Sequence, residues 1–168
     1  MGGTALEAST TRILVVDDFE PWRLYVSKAL QRKPKLEIIS EALDGLEAVQ
    51  KAQQLQPDLI LLDIGLPKLN GIEAGRRIRE LSPKSKILFV SENRCPEIVE
   101  KALYTGAAGY VVKSEAAGEL LPAVEAALDD GRFVSASLLV MISSALRADD
   151  AINVATKPDN ANPVCSDL

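Results

Sequence analysis

The chain has 168 residues, 47% of them hydrophobic and 26% charged, and carries a formal net charge of −5. That length suffices for one domain with a substantial core, and the acidic balance argues against general affinity for nucleic acid or anionic membranes. The sequence contains no histidine, which excludes histidine-based catalysis, a histidine metal site and a histidine phosphorelay within this chain.

The two cysteines, Cys95 and Cys165, are far apart and form no CxxC. This speaks against a disulfide framework or a zinc site and fits a reducing cytoplasm. Met1 to Thr11 lacks the apolar core of a signal peptide. No apolar run approaches the ~18 residues that a membrane span needs.

Residues 1–11 are small and polar and read as a flexible N-terminus. Arg12 to Val16 is a β-rich run ending in Asp17-Asp18, the expected first strand. Pro21 suits the first turn of a helix over 20–32, with Asp18 or Glu20 near its cap and Trp22, Val26, Ala29 and Leu30 at helical spacing. Leu36 to Ser40 is a second strand. Asp44-Gly45-Leu46-Glu47 has the form of a capping box, and Leu46, Val49 and Ala52 are expected to line the inner face of the helix that ends before Pro57. Asp58 to Asp63 begins with four consecutive aliphatic residues after Asp58, as a fully buried parallel strand does. A third helix fits 71–81, with Ile72, Gly75 and Ile78 inward and Arg76, Arg77 and Arg79 on a solvated face.

Lys86 to Val90 is the fourth strand and ends at Ser91. Pro96 starts a fourth helix, which Gly106 is placed to stop. Gly109 to Val112 is a fifth strand ending at Lys113. A fifth helix falls around 117–129, with Leu120, Leu121, Val124 and Leu128 apolar. Pro122 is tolerable there if the helix starts late, near Gly118. Five strands alternating with helices call for a doubly wound α/β domain with a parallel sheet and helices on both faces. The domain is expected over 12–131. An extra amphipathic helix follows within 132–148, over 136–147, and an Asn-, Asp- and Pro-containing disordered tail occupies 149–168.

In such a sheet the chemistry lies where strands end and loops begin. Asp17 and Asp18, Asp63, Ser91 and Lys113 all stand at strand ends and so share one edge. Alone, each has a plain structural use: Asp17 or Asp18 as a helix cap, Asp63 as a turn former, Ser91 in a loop, Lys113 at the surface, Tyr110 in packing. Their joint placement carries the reading. Three carboxylates together repel, and a magnesium ion with its preference for hard oxygen ligands relieves that. A carboxylate can attack a phosphoryl group to give an acyl phosphate, while a lysine and the metal neutralise the charge in transfer. Asp63 is the expected nucleophile.

These marks resemble the receiver domain of a bacterial two-component response regulator. The residues that carry the likeness are Asp17-Asp18 after Ile13-Leu14-Val15-Val16, the run Leu61 to Gly71 around Asp63, Ser91 after Phe89-Val90, and Gly106 to Lys113. The wording of Asp63 to Gly71 and of Gly106 to Lys113 is similar to the NarL/FixJ-type subfamily. The resemblance implies a flavodoxin-like fold of five strands in the order 2-1-3-4-5. It implies that Asp63 accepts a phosphoryl group from a sensor histidine kinase. Asp18, Asp63 and the backbone carbonyl of Gly65 would hold Mg2+, with Asp17 acting through water. Lys113 would pair with the phosphoryl oxygens, Ser91 would hydrogen-bond to them and move toward them, and Tyr110 would shift inward with Ser91.

The implied protein is a cytoplasmic regulator that catalyses only its own phosphorylation and dephosphorylation. It would act on a downstream protein, with homodimers favoured by phosphorylation and no direct contact with nucleic acid or membrane. Three departures stand out. Ser114 follows Lys113 where many receivers have a cis proline. Glu92 follows Ser91 where a small residue is common, and its carboxylate would slow transfer or loss of the phosphoryl group. No basic recognition helix is visible after Gly131, so a stand-alone or truncated receiver is expected. The alternative is a haloacid-dehalogenase-like phosphatase, which Asp18-Phe19-Glu20 mimics. No GxGxxG or GxxxxGK[ST] supports nucleotide binding.

Overall fold

The computed structural model describes residues 9–142. The expected tail over 149–168, the end of the extra helix and most of the N-terminal segment lie outside these residues. β1 (Thr11–Val16), β2 (Leu36–Ala42), β3 (Leu59–Leu62), β4 (Lys86–Ser91) and β5 (Gly109–Val112) alternate with α1 (Glu20–Leu30), α2 (Gly45–Leu55), α3 (Gly71–Leu81), α4 (Pro96–Tyr104) and α5 (Ala116–Leu128). A short 3-10 turn, Lys113–Glu115, links β5 to α5.

The strands pair in parallel in the order β2-β1-β3-β4-β5, as the resemblance implies. The expected count of five is corrected to six: β6 (Phe133–Val134) adds in parallel to the far edge of β5. Two residues are too few to show a period of two, so the sequence pattern could not reveal it. The site of its docking is marked instead by Gly109. A Cβ there would stand 2.1 Å from the Phe133 carbonyl oxygen, so only glycine lets the two strands approach.

The alternation of side chains explains the two-sided core. Leu14, Val16, Ile60, Leu62, Ile87, Phe89, Tyr110 and Val112 point to one face, where α2, α3 and α4 pack. Ile13, Val15, Leu59, Leu61, Leu88, Val90 and Val111 point to the other, against α1 and α5. Each large aliphatic chain removed from water in this way contributes roughly 1.5–3 kcal/mol. Parallel strands joined by helices put every β-to-α loop at the C-terminal edge of the sheet.

Several local expectations are revised. The cap residue of α1 is Phe19, flanked as expected by Asp18 and Glu20; neither supplies a side-chain cap, and Asp17 Oδ1 accepts from the Phe19 N–H at 2.8 Å. In α2 the buried residues are Gly45, Ala48 and Ala52, while Leu46 is 47% exposed. A Cβ at Gly45 would stand 1.9 Å from the Leu69 carbonyl oxygen, and it is this glycine, with Ala48 and Ala52, that forms the buried face. The capping box forms, with Asp44 Oδ1 accepting from Glu47 N–H and Glu47 Oε2 accepting from Leu43 N–H. α5 starts at Ala116, not near Gly118, so Pro122 lies inside the helix. The proline ring meets the carbonyl four residues earlier, which belongs to Gly118. Against the expectation of no disulfide framework, Cys95 is disulfide-bonded.

Beyond β6 a helix begins at Ala136 and is described over 136–142. Leu138 is 1% exposed and joins the core cluster of Val99, Tyr110 and Val112, whereas Leu139 is 52% exposed. The extra helix therefore packs back on its own domain.

Candidate functional site

The C-terminal edge of the sheet brings the predicted residues together. Asp17 continues β1, its N–H donating to the Ala42 carbonyl at 3.0 Å; Asp63 continues β3, its N–H donating to Val16 at 3.0 Å. Carboxylate oxygens of Asp17, Asp18 and Asp63 lie within 4.8 Å of one another. Asp17 and Asp63 are buried and Asp18 is exposed. From β5, Lys113 reaches between the two buried acids: Nζ is 2.6 Å from Asp17 Oδ2 and 3.2 Å from Asp63 Oδ2. The ammonium also stands 5.2 Å from the centre of the Trp22 ring, a cation–π contact. The other oxygen of Asp63, Oδ1, accepts from the Ile64 N–H at 2.7 Å.

Asp63 is held from behind by α3. The N-terminus of that helix rests on the strand end, and a Cβ at Gly71 would lie 1.9 Å from the Asp63 carbonyl oxygen. Asn70 caps the helix by accepting from Glu73 N–H at 3.0 Å. In front of Asp63 opens a cavity of about 330 Å³ lined by Asp63, Gly65, Ser91, Glu92, Asn93 and Lys113. Gly65 faces open space there. Ser91 Oγ accepts from Asn93 N–H at 3.2 Å. Tyr110 is fully buried, with its hydroxyl donating to the Asn93 carbonyl at 2.6 Å.

The electrostatics follow from burial. Burial, aided by the Asp63 charge, raises the Asp17 carboxyl above its ordinary value and outweighs the help of Lys113 and of the Phe19 N–H. For Lys113, burial is the largest single influence and acts downward; the short contact its ammonium makes to the Asp17 carboxylate and the charges of both acids together overcome it, so the ammonium is held above the usual lysine value. Burial likewise pushes the Tyr110 phenol far above its ordinary range.

A divalent cation fits this donor set. All the side-chain donors are hard carboxylate oxygens, and one from each of Asp17, Asp18 and Asp63 converges within 4.8 Å. Asn93 and Trp22 were not among the residues singled out for the site. Asn93 follows Ser91 by two positions and is brought in by the loop, which has no periodic signal. At Ser114 the peptide is trans, and Ser114 Oγ meets Arg94 Nη2 at 2.6 Å.

The geometry defines a class, a doubly wound α/β domain with an acidic pocket and a buried lysine at the sheet's C-terminal edge. Residues 13–125 match the response regulator receiver domain, and the chain belongs to that family. Its relatives include response regulators of the NarL and LuxR kinds. It is 34% identical over 139 residues to the nitrate/nitrite response regulator protein NarL of Escherichia coli (strain K12), covering 83% of this chain and 64% of that protein. It is 34% identical over 123 residues to the transcriptional regulatory protein DegU of Brevibacillus brevis, covering 73% and 52%. The crystal structure of a LuxR-family two-component response regulator from Aurantimonas sp. SI85-9A1 aligns with a TM-score of 0.78 at 34% identity, covering 83% of this chain and 99% of that one. The chain thus spans about half to two thirds of the length of these curated relatives.

Proposed function

We propose that the chain is a phosphorylation-controlled switch in which Asp63 accepts a phosphoryl group from a phosphohistidine on a sensor kinase. The observation that carries the reading is the buried lysine shared by two carboxylates beside a third, at the mouth of a cavity open to a phosphodonor. One Asp63 carboxylate oxygen attacks phosphorus, the P–N bond breaks, and the imidazole leaves with a proton. Lys113, charged at any physiological pH, neutralises the transferring oxygens. Ser91 turns its hydroxyl from Asn93 toward the phosphoryl group, and Tyr110 follows. Asp17, Asp18, Asp63 and the Gly65 carbonyl would hold Mg2+, which supplies further charge neutralisation when bound. Glu92 on the cavity wall adds a negative charge that slows both arrival and loss of phosphate.

The receiver unit is 12–131, with 132–148 an appended segment. The response is a population shift at the surface of α4, β5 and α5, read by a downstream protein or a second copy of the chain. Among the described residues no helix is long and apolar enough to cross a membrane, and we place the protein in the cytoplasm, where kinases of this kind present their phosphohistidine. The phosphatase alternative finds no support in the geometry: Asp18, its expected nucleophile, is the exposed acid, while Lys113 holds Asp63. Intact mass after incubation with acetyl phosphate and Mg2+ tests the reading. One phosphate on the wild type and none on Asp63→Ala is expected; equal masses for the two would refute it.

A further inference from the structure

We infer that Ser135, beyond the matched domain, is a positioning residue for Lys113, acting through the backbone of Val112. This rests on the phosphoacceptor reading above and deepens it. Lys113 must hold its ammonium between Asp17 and Asp63, and its backbone leaves the sheet directly after Val112. On one side β5 is anchored to β4. On the other side its only neighbour among the described residues is β6, which has two residues.

The rungs on that side run at every second residue of β5. Phe133 N–H donates to the Ala108 carbonyl at 3.1 Å and Ser135 N–H donates to Tyr110 at 3.0 Å. At the next rung the β6 backbone has already turned into a helix. The Val112 N–H, on a residue that is 0% exposed, donates instead to Ser135 Oγ at 2.9 Å. A side chain thus completes the ladder at the residue before Lys113. Without it a buried N–H would be unpaired, and native structures avoid that.

The hydroxyl is itself held. Ser135 is 0% exposed, and its Oγ donates to Glu119 Oε2 on α5. Glu119 Oε1 accepts from Ala136 N–H at 3.2 Å, so one carboxylate both orients the serine and caps the helix that carries Leu138 into the core. Ser135 can serve as acceptor and donor at once only because it is a hydroxyl. Alanine removes both bonds, threonine keeps both.

The experiment follows phosphate uptake from acetyl phosphate in the full chain by intact mass, Mg2+ affinity, and the fluorescence of Trp22. As the one tryptophan of the chain, 5.2 Å from Lys113 Nζ, Trp22 reports where the ammonium sits. Ser135→Ala should slow phosphorylation about tenfold or more, the scale of a misplaced catalytic group, and change the Trp22 emission. The Mg2+ dissociation constant should fall, because an ammonium drawn away from Asp17 and Asp63 no longer competes with the cation for their oxygens. Ser135→Thr should restore rate and emission, and Glu119→Gln should fall between. A wild-type rate and emission in Ser135→Ala, or a threonine variant as slow as alanine, overturns the inference. Should Ser135→Ala not fold, Glu119→Gln decides alone, and its wild-type behaviour refutes the role. A wild type that takes up no phosphate refutes the phosphoacceptor reading first, and this inference with it.

Discussion

Replacing Lys113 with methionine keeps most of the stem and removes the charge. The Lys113 side chain is 9% exposed, and its ammonium lies between two acids whose ligand atoms are within 4.8 Å of each other. At an effective dielectric of about 20, two unit charges at that separation repel by about 3 kcal/mol. Removing one partner of a buried ion pair costs about 3–5 kcal/mol in general, so a loss near 3 kcal/mol at neutral pH is expected. The variant has one escape, which is to protonate Asp17. That carboxyl is already raised by burial in the wild type, and loss of Lys113 raises it further. A group whose pKa is raised on folding stabilises the fold fully below its unfolded value, here near 3.8, and loses that contribution as pH rises through the folded value. The deficit of Lys113→Met must therefore be largest at neutral pH and shrink on acidification. Mg2+ should shrink it too, by supplying positive charge to the same oxygens. Urea unfolding followed by circular dichroism, at neutral and mildly acidic pH with and without Mg2+, measures all four conditions. A deficit that ignores both pH and Mg2+ would mean that the loss is one of packing against Trp22, and the charge argument would be refuted.

Other outcomes follow from single contacts. Gly71→Ala puts a methyl 1.9 Å from the Asp63 carbonyl oxygen; we expect a loss of about 1–3 kcal/mol, as for overpacking, together with greatly slowed phosphate uptake, read by denaturation and intact mass. Asp44→Ala should cost about 1 kcal/mol through loss of the α2 cap. The Glu47 N–H holds the Asp44 carboxyl below its ordinary value of 3.8, so that contribution is present above this pH and fades as pH falls through the folded value; urea midpoints of variant and wild type should converge there. Tyr110→Phe leaves the Asn93 carbonyl without its 2.6 Å partner and should cost about 1–3 kcal/mol in thermal or urea melts. In an ultraviolet titration of the native protein, the Tyr110 phenol should ionise well above 10.0.

The parts of the fold that could be read in advance are those with a period or an uninterrupted apolar run. Leu59 to Leu62 has four buried residues and no ambiguity, and the strand-end acids follow from where such runs stop. Failures occur where long-range contact overrides local pattern. Leu46 fits an apolar stripe, but Gly45, close to the Leu69 carbonyl, takes the buried face and Leu46 is exposed. Asp18 stands beside the α1 cap as expected, but Asp17 is the one whose oxygen reaches the Phe19 N–H. Ser135 and Glu119 lie in unremarkable stretches and acquire a role only when β6 folds back across the sheet edge. Gly109 carried the one local hint of that, as a strand glycine where another backbone comes close.

The second edge of the sheet has a different character. β2 has no neighbour on its outer side among the described residues, and an open strand of this kind is a template for unwanted pairing between molecules. Its sequence guards against that: Glu37, Ser40 and Glu41 interrupt Leu36, Ile38 and Ile39, and the register against β1 shifts between Ile13 and Leu14. Like charges would face each other when two copies met along β2, and the irregularity bends the strand away from a flat match. With only the two-residue β6 at the opposite edge, the sheet is protected from fibril-like growth there by the shortness of the strand and at β2 by charge.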